Sequence, residues 1–213
     1  MGFIFNFTSN EVINPLQAAT HRNIRFQGPN IFSKNKSLHN LNNVLIFDME
    51  PFHETISNSS TPGHYFIPNI REFSYIYIPD DFPTGVANVD IENNYKCECI
   101  KTTHSFKRTI KKFCEIYERY NYPTLIAHNG NNFDFLILIA SIYRYTTYGA
   151  TFVSKMKFFD SYALIKKRNF IHRGNIDMFL KYLHLYKDYT YLQYEQHTSL
   201  ADCKMLLLWL SKI

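Results

Sequence analysis

The stretch Val44-Leu45-Ile46-Phe47-Asp48-Met49-Glu50 carries the most information about fold and chemistry in this chain. Its apolar run is typical of a buried strand, and the run ends in two carboxylates. Because successive side chains of a strand point to opposite faces, Asp48 and Glu50 share one face while Phe47 and Met49 take the other. Two acids side by side on a buried strand repel, and a bound cation would relieve that repulsion. Oxygen ligands favour Mg²⁺ or Mn²⁺ over zinc.

Taken alone, these two acids are more simply explained as strand-end residues that meet solvent. Two further acids and a histidine follow in the chain, however. Asp134 comes shortly after Ala127-His128-Asn129-Gly130, and Asp202 comes five residues after His197. The combination of three separated motifs in this order favours a catalytic interpretation over chance.

The later acids also have structural explanations. Asp134 follows Asn131 by three positions, so it would fit the first turn of a helix that Asn131 caps. Asp202 follows Ser199 by three positions, which is a capping-box spacing with Asp in place of Glu or Gln. His197 on its own would be an exposed loop histidine. These explanations are compatible with catalysis, since an acid in the first turn of a helix is held rigidly.

The three motifs resemble those of the DEDDh family of 3′→5′ exonucleases, and of its TREX-like branch in particular. The likeness extends from Asn43 to Trp209. One position departs from the family pattern: Phe52 stands two residues after Glu50, where the family usually has Thr. The resemblance implies a metal-dependent exonuclease that releases nucleotides from the 3′ end of a nucleic acid.

The resemblance also implies roles for individual residues. Asp48 would bridge two Mg²⁺ or Mn²⁺ ions, Glu50 and Asp202 would hold one of them, and Asp134 would orient the other. His197, with a reference pKa near 6.5, would act as the general base. The predicted catalytic set is therefore Asp48, Glu50, Asp134, His197 and Asp202. Asp160, which follows a strand, is expected to cap the next helix instead of binding metal.

The predicted fold is α/β, with a mixed sheet flanked by helices on both faces, and the resemblance implies the ribonuclease H-like arrangement. Periodicity predicts strands at 44–50, 72–78, 95–100, 124–127 and 157–159, and helices at 105–120, 133–145, 161–168, 175–186 and 199–211. We expect one exonuclease domain over 1–213, in which 1–42 is an N-terminal extension packed irregularly on the core. Residues 53–63 read as a mobile loop and 79–94 as turn-rich.

A net charge of +5 favours a polyanionic partner, because Lys and Arg contacts to phosphates release counterions. The predicted nucleic-acid contacts are Phe52, His128, Asn129, Phe133, Lys155 and Lys157. Aromatic rings stack on splayed bases. Core packing is the alternative for both phenylalanines, slightly favoured for Phe133 and disfavoured for Phe52. For the two lysines, phosphate contact and solvated surface are equally good interpretations.

The sequence also leads to predictions about substrate, assembly, location and the state of the cysteines. The substrate is expected to be DNA, with RNA tolerated, and the alternative function is a module that binds 3′ ends without cleavage. The edge strand 95–100 would support a homodimer, as the resemblance implies. The sequence contains no membrane-spanning stretch or signal peptide, so the expected location is intracellular, in the cytoplasm, the nucleus or both. The cysteines are expected to be reduced structural thiols: Cys97, Cys99, Cys114 and Cys203.

Overall fold

The structure is a computed structural model that describes residues 11–13, 38, 41–52, 57–58, 64–66, 70–102, 106–162 and 198–212. The helix predicted at 175–186 and most of the helix predicted at 161–168 lie outside these residues, as does His197. Side chains of 11–13, 57–58, 64–66, 88–89, 144 and 150 are likewise outside the description.

Eight strands and five α-helices occur in the described part of the chain. The strands are β1 (Glu11–Ile13), β2 (Val44–Pro51), β3 (Ser57–Asn58), β4 (His64–Phe66), β5 (Ile70–Ile78), β6 (Lys96–Lys101), β7 (Thr124–Ala127) and β8 (Lys157–Asp160). The helices are α1 (Asn88–Asn94), α2 (Phe106–Arg119), α3 (Asp134–Tyr145), α4 (Gly149–Val153) and α5 (Ser199–Leu210), with a 3-10 turn at Gly130–Asn132 before α3.

Five of the strands form one mixed sheet in the order β6-β5-β2-β7-β8. β5 runs antiparallel to both of its neighbours, whereas β2, β7 and β8 are parallel. Strand β2 lies at the centre of the sheet, where helices cover its apolar side chains on both faces. It pairs with β5 from Val44 to Pro51, but with β7 only from Val44 to Ile46.

Helices cover both faces of this sheet. On one face, α5 and Ile91 of α1 pack over Ile46 and Ile76. On the other face, α2 and α3 pack over Phe47 and Phe73. The alternation of strand side chains therefore divides the core into two layers, and Asp48 and Glu50 belong to the layer beneath α5. The predicted α/β class is confirmed, and the strand order and directions are those of a ribonuclease H-like sheet.

Most predicted elements match the structure to within two residues at each end, and strand 124–127 matches fully. Helix α1 was missed, since its segment reads as turn-rich. It forms because Ile91 is fully buried against the α5 layer, so tertiary packing overrides the weak helix propensity of its asparagines. Helix α4 was also not predicted.

A second, three-stranded sheet has the order β1-β4-β3. Strand β1 lies in the segment expected to be an irregular extension, and β3 lies in the segment expected to be a loop. At these residues the backbone is in a strand. The strands contribute only three and two residue pairs to β4, which is too short for alternation to be recognised in a sequence.

Two predictions concern the surface of the protein: pairing with a second copy through an edge strand, and the lack of a membrane-spanning segment. Strand β6 is an edge of the main sheet, with β5 as its one neighbour among the described strands. The homodimer through this edge stays a prediction. Within the described residues, none of the helices has the length and apolar character needed to cross a bilayer.

Two phenylalanines on β2 and just beyond it give a test of the layered core. Phe47 is fully buried, with ring centroids of Phe73 and Phe135 both 5.9 Å away, whereas Phe52 is 45% exposed. Phe47→Ala should lower the free energy of unfolding by about 3–5 kcal/mol, because it opens a cavity in an aromatic layer. Phe52→Ala should change it by no more than about 0.5 kcal/mol. Urea unfolding of both variants checks this, and equal losses would contradict the assignment.

Candidate metal centre

The two acids of β2 meet a third from α5. Asp48 and Glu50 stand on the face of the sheet that α5 covers, and Asp202 lies in the first turn of that helix. One carboxylate oxygen from each of the three lies within 4.8 Å of the others. Sequence positions 48, 50 and 202 are therefore brought to one place, as the motifs predict.

Asp202 is not held by a capping box. The N-cap residue of α5 is Thr198, which makes no side-chain capping bond, and Ser199 is already inside the helix. The Ser199 hydroxyl instead lies 2.6 Å from the Ser74 hydroxyl of β5. The capping-box explanation of Asp202 is wrong, because a contact with the sheet takes the place of the local one.

Asp134 is bonded to the main chain of β2 beside the three acids, but its carboxylate is not part of the group within 4.8 Å. Its Oδ1 accepts a hydrogen bond of 3.1 Å from the Met49 N–H, and the residue is 2% exposed. Helix α3 begins at Asp134, and Phe133 occupies the N-cap position without a side-chain bond. Asn131 lies in the preceding 3-10 turn, so the expected Asn131 cap is wrong. Asp134→Ala would leave the Met49 N–H without its acceptor, which makes that residue structural as well.

Burial makes the negative charge of this cluster costly. Burial raises the pKa of Asp48 well above its ordinary range, and the neighbouring charges of Asp134, Asp202 and Glu50 raise it further. Burial also raises the pKa of Asp134 to about 8, although the Met49 N–H opposes the shift. The pKa of Asp202 is raised to about 7 by burial and by the charge of Glu50, with which it shares a hydrogen bond.

A second observation indicates that the cluster fits a divalent cation. The Oδ2 atom of Asp48 is buried and has no hydrogen-bond partner among the described residues. A buried carboxylate oxygen normally has a partner, because an unsatisfied one costs free energy. Its immediate surroundings include further carboxylates, which accept hydrogen bonds and do not donate them when ionised. A hard cation with oxygen ligands, such as Mg²⁺ or Mn²⁺, would satisfy this atom and offset the repulsion.

The turn between β7 and α3 explains why the second motif contains Asn and Gly. Asn129 adopts the left-handed conformation with φ of 57°, which Asn tolerates better than most residues. At Gly130, a Cβ atom would lie 2.7 Å from the ring of Phe135, so any larger residue would displace that ring. This turn connects β7 to α3 and places Asp134 against β2.

Asp160 supports this turn without joining the metal cluster. Its Oδ1 accepts a hydrogen bond of 2.9 Å from the Tyr162 N–H, and its Oδ2 accepts one of 3.1 Å from the Asn131 N–H. The first bond caps the backbone that follows β8, so the predicted capping role is confirmed. The second bond ties that backbone to the turn that precedes Asp134.

Among the predicted nucleic-acid residues near the acids, Phe52 is exposed, whereas the other three contact neighbouring side chains. Phe52 directly follows β2 and is the exposed large hydrophobic side chain among the described residues, so the core-packing alternative is excluded for it. Phe133 packs partly buried against the α2 and α3 layer. The His128 Nδ1 lies 2.9 Å from the Ser161 hydroxyl, and its ring contacts the Trp209 ring edge-on. Asn129 accepts a hydrogen bond from the Asn132 side chain. Contact of these residues with nucleic acid stays a prediction.

The structure does not bring Lys155 and Lys157 to the acids. Lys157 pairs with Thr124 at the start of β8, and Asp160 ends that strand three residues later, about 10 Å further along. The ammonium group of Lys155 lies 4.7 Å from the centre of the Tyr122 ring. These lysines are therefore at the opposite end of the parallel strands from the cluster. His197 lies outside the described residues, so its position is not part of this geometry.

Sequence reasoning missed two buried polar residues on β5. Glu72 and Ser74 lie directly opposite Glu50 and Asp48 in the antiparallel pairing, and they are 8% and 0% exposed. The signal was present in the alternation of Glu72-Phe73-Ser74-Tyr75, which puts the two polar side chains on one face. The two residues could be placed opposite the acids only once the register between β5 and β2 was known.

No protein-family model matches the chain, and no curated protein matches it in sequence. The resemblance to the DEDDh exonucleases therefore depends on the three motifs, and the geometry of the cluster provides independent support for a cation site.

The raised pKa values predict that the metal-free protein loses stability as pH rises toward neutrality. Between the ordinary Asp202 value of 3.8 and the folded value of about 7, the unfolded chain is ionised while the folded protein keeps its proton. The folded state then binds more protons, so the free energy of unfolding falls, by at most about 1.4 kcal/mol per pH unit for one group. Asp202→Asn should remove that part of the slope in urea unfolding measured in EDTA from pH 5 to 7.

A matched control is Asp81→Asn, because Asp81 is exposed and follows the end of β5 that is opposite the cluster. This variant should keep the wild-type slope. Added Mn²⁺ should flatten the wild-type slope, since a bound cation favours the ionised carboxylates. Identical slopes for the wild type and Asp202→Asn in EDTA would contradict the proposed burial of charge.

Proposed function

We propose that this protein is a metal-dependent 3′→5′ exonuclease that hydrolyses phosphodiester bonds at the 3′ end of DNA, with RNA as a possible second substrate. The observation that carries the proposal is the convergence of Asp48, Glu50 and Asp202 within 4.8 Å around a buried carboxylate oxygen that lacks a partner among the described residues. The order of the motifs, and their resemblance to the DEDDh family, supplies the choice of reaction and its direction.

In this proposal, the four acids hold two Mg²⁺ or Mn²⁺ ions. Bound divalent ions supply positive charge that activates water and stabilises the leaving oxygen of a phosphodiester. The protein's part is to keep the carboxylates in place before the substrate arrives. Asp48 and Glu50 are fixed by the pairing of β2 with β5, and Asp134 is fixed by the Met49 N–H. Such prior placement reduces the reorganisation needed during the reaction.

His197 is proposed as the general base on its sequence position alone, five residues before Asp202. An imidazole with a pKa near the reference value of about 6.5 accepts a proton from water at neutral pH. The helix that carries Asp202 begins at Ser199, two residues after position 197 in the sequence.

Phe52 gives the proposed site a way to hold the end of a strand. It is two residues beyond Glu50 and exposed, while the neighbouring rings of β2 and β5 are buried. An exposed aromatic ring beside an acid cluster suits a ligand that has both a flat base and a phosphate. Stacking of one base on one ring contributes roughly 1–3 kcal/mol without regard to sequence.

The function is tested with single-stranded DNA and RNA oligonucleotides that have either a free or a blocked 3′ end. We expect Mg²⁺ or Mn²⁺ to support release of mononucleotides from free 3′ ends, and EDTA to abolish it. Asp48→Asn and Asp134→Asn should also abolish it. The amide that Asp134→Asn introduces would keep an oxygen acceptor for the Met49 N–H, which separates chemistry from folding. Asp81→Asn is the control and should cleave normally.

Each other outcome has a definite meaning. Binding of 3′ ends without cleavage by the wild type would replace the enzyme with a 3′-end-binding module. Cleavage of circular or 3′-blocked substrates would contradict the exonuclease assignment. Activity that persists in EDTA, or in Asp48→Asn, would contradict the metal centre.

The stacking role of Phe52 gives a separate expectation. Phe52→Ala should raise KM for a single-stranded oligonucleotide by roughly 5- to 150-fold, the range that corresponds to stacking of one base. Phe52→Trp should restore it, because a larger ring still stacks. The affinity of the metal-free protein for Mn²⁺ should be equal in all three proteins. An unchanged KM in Phe52→Ala would refute the stacking role.

A further inference from the structure

Strand β5 places a polar pair directly against the acids of β2. In the antiparallel register, Glu72 stands opposite Glu50, and Ser74 stands opposite Asp48. Directly opposite residues share a face, so all four side chains lie on the side that α5 covers. Glu72 is thus a fifth carboxylate at the edge of the cluster, and it is 8% exposed.

Glu72 reaches the helix that carries Asp202. Its Oε2 accepts a hydrogen bond of 3.3 Å from the Ser199 N–H, and its Oε1 forms an ion pair of 3.9 Å with the Arg71 Nε. Ser199 is the first residue of α5 and is fully buried. The N–H groups of a first helical turn have no partner within the helix, and the N-cap residue Thr198 makes no side-chain capping bond here. A carboxylate from β5 performs that role from outside the helix.

Two contacts of Ser74 add to this anchor. Its hydroxyl lies 2.6 Å from the Ser199 hydroxyl, and its carbonyl oxygen lies 3.5 Å from the Cys203 Sγ, which donates to it. The start of α5 is therefore attached to β5 at positions 199 and 203, on either side of Asp202. The distance between Asp202 and Glu50 depends on this attachment, because the acids come from separate elements.

We propose that Glu72 is a positioning residue: it holds the first turn of α5 against β5, keeps Asp202 beside Glu50, and thereby sets the affinity of the cluster for divalent cations. The inference rests on the proposed metal centre, but not on cleavage of nucleic acid. Glu72 acts through its reach to the Ser199 N–H, and its charge is secondary.

Two substitutions separate reach from charge. Glu72→Gln keeps the length of the side chain and an oxygen acceptor but loses the charge. Glu72→Asp keeps the charge but is one methylene shorter, so its carboxylate withdraws from the Ser199 N–H. A positioning residue requires Gln to be tolerated and Asp to be harmful, whereas a purely electrostatic residue requires the reverse. A direct metal ligand requires both variants to be harmful.

The experiment measures Mn²⁺ binding to the metal-free protein by isothermal titration calorimetry, without substrate. We expect Glu72→Gln to bind Mn²⁺ within about threefold of the wild type, and Glu72→Asp to bind at least about tenfold more weakly. Glu115→Gln, which removes an exposed carboxylate from α2 on the other face of the sheet, controls for net charge. Melting curves in EDTA verify that each variant is folded.

The same proteins are then assayed on a 3′-labelled oligonucleotide. Glu72→Asp should lower kcat with little change in KM, because the base-stacking residue is untouched. Weak binding by both variants, normal binding by both, or weak binding by Gln alone would each overturn the inference. If the wild type binds Mn²⁺ and the variants follow the expected order but nothing is cleaved, the proposed function fails while the positioning role of Glu72 stands.

Discussion

Repulsion among closely placed, partly buried carboxylates is the constraint on which the site depends. Asp48 carries a buried oxygen without a partner among the described residues, and the charges of Asp134, Asp202 and Glu50 surround it. Nothing in the hydrophobic core favours this arrangement, so other contacts must hold it. The Met49 N–H holds Asp134, and β5 holds the helix of Asp202. The two-layer core on either side of β2 provides the rigid base from which these contacts act.

The sheet and its helices were largely predictable from sequence because their signals are long and periodic. Strand β2 is an apolar run, and α2 alternates basic and apolar residues over fourteen positions. The elements that were missed carry weak signals of their own. Helix α1 is seven residues long and depends on Ile91, and β3 and β4 pair over two residues. Such short elements form because another part of the chain packs against them or pairs with them. The local sequence does not show which part that is.

The same contrast between local signals and contacts with distant elements explains which features of the site were predictable. Separated motifs predicted that Asp48, Glu50 and Asp202 share one place, and the structure brings their carboxylates together. The explanations by local capping failed at Asn131 and Ser199, because contacts with other elements replaced the expected ones. Glu72 was not identified because its meaning comes from its register with Glu50. Phosphate contact and solvated surface were equally good interpretations of Lys155 and Lys157 from the sequence, and strand direction places them at the other end of the sheet from the acids.

The pairing of β2 is unequal along its length, and this has a consequence for motion. Its first three residues are bonded to strands on both edges, while from Phe47 onward β7 no longer accompanies it. Beyond that point, one side of the strand is secured by a side chain, through the bond between the Met49 N–H and Asp134. Regions joined by fewer main-chain bonds open at lower free energy than the sheet as a whole. The Asp134 carboxylate therefore takes the place of a β7 residue at this edge of β2, so its loss would lower the free energy of local opening at the carboxylate end of the strand before it affected the rest of the sheet.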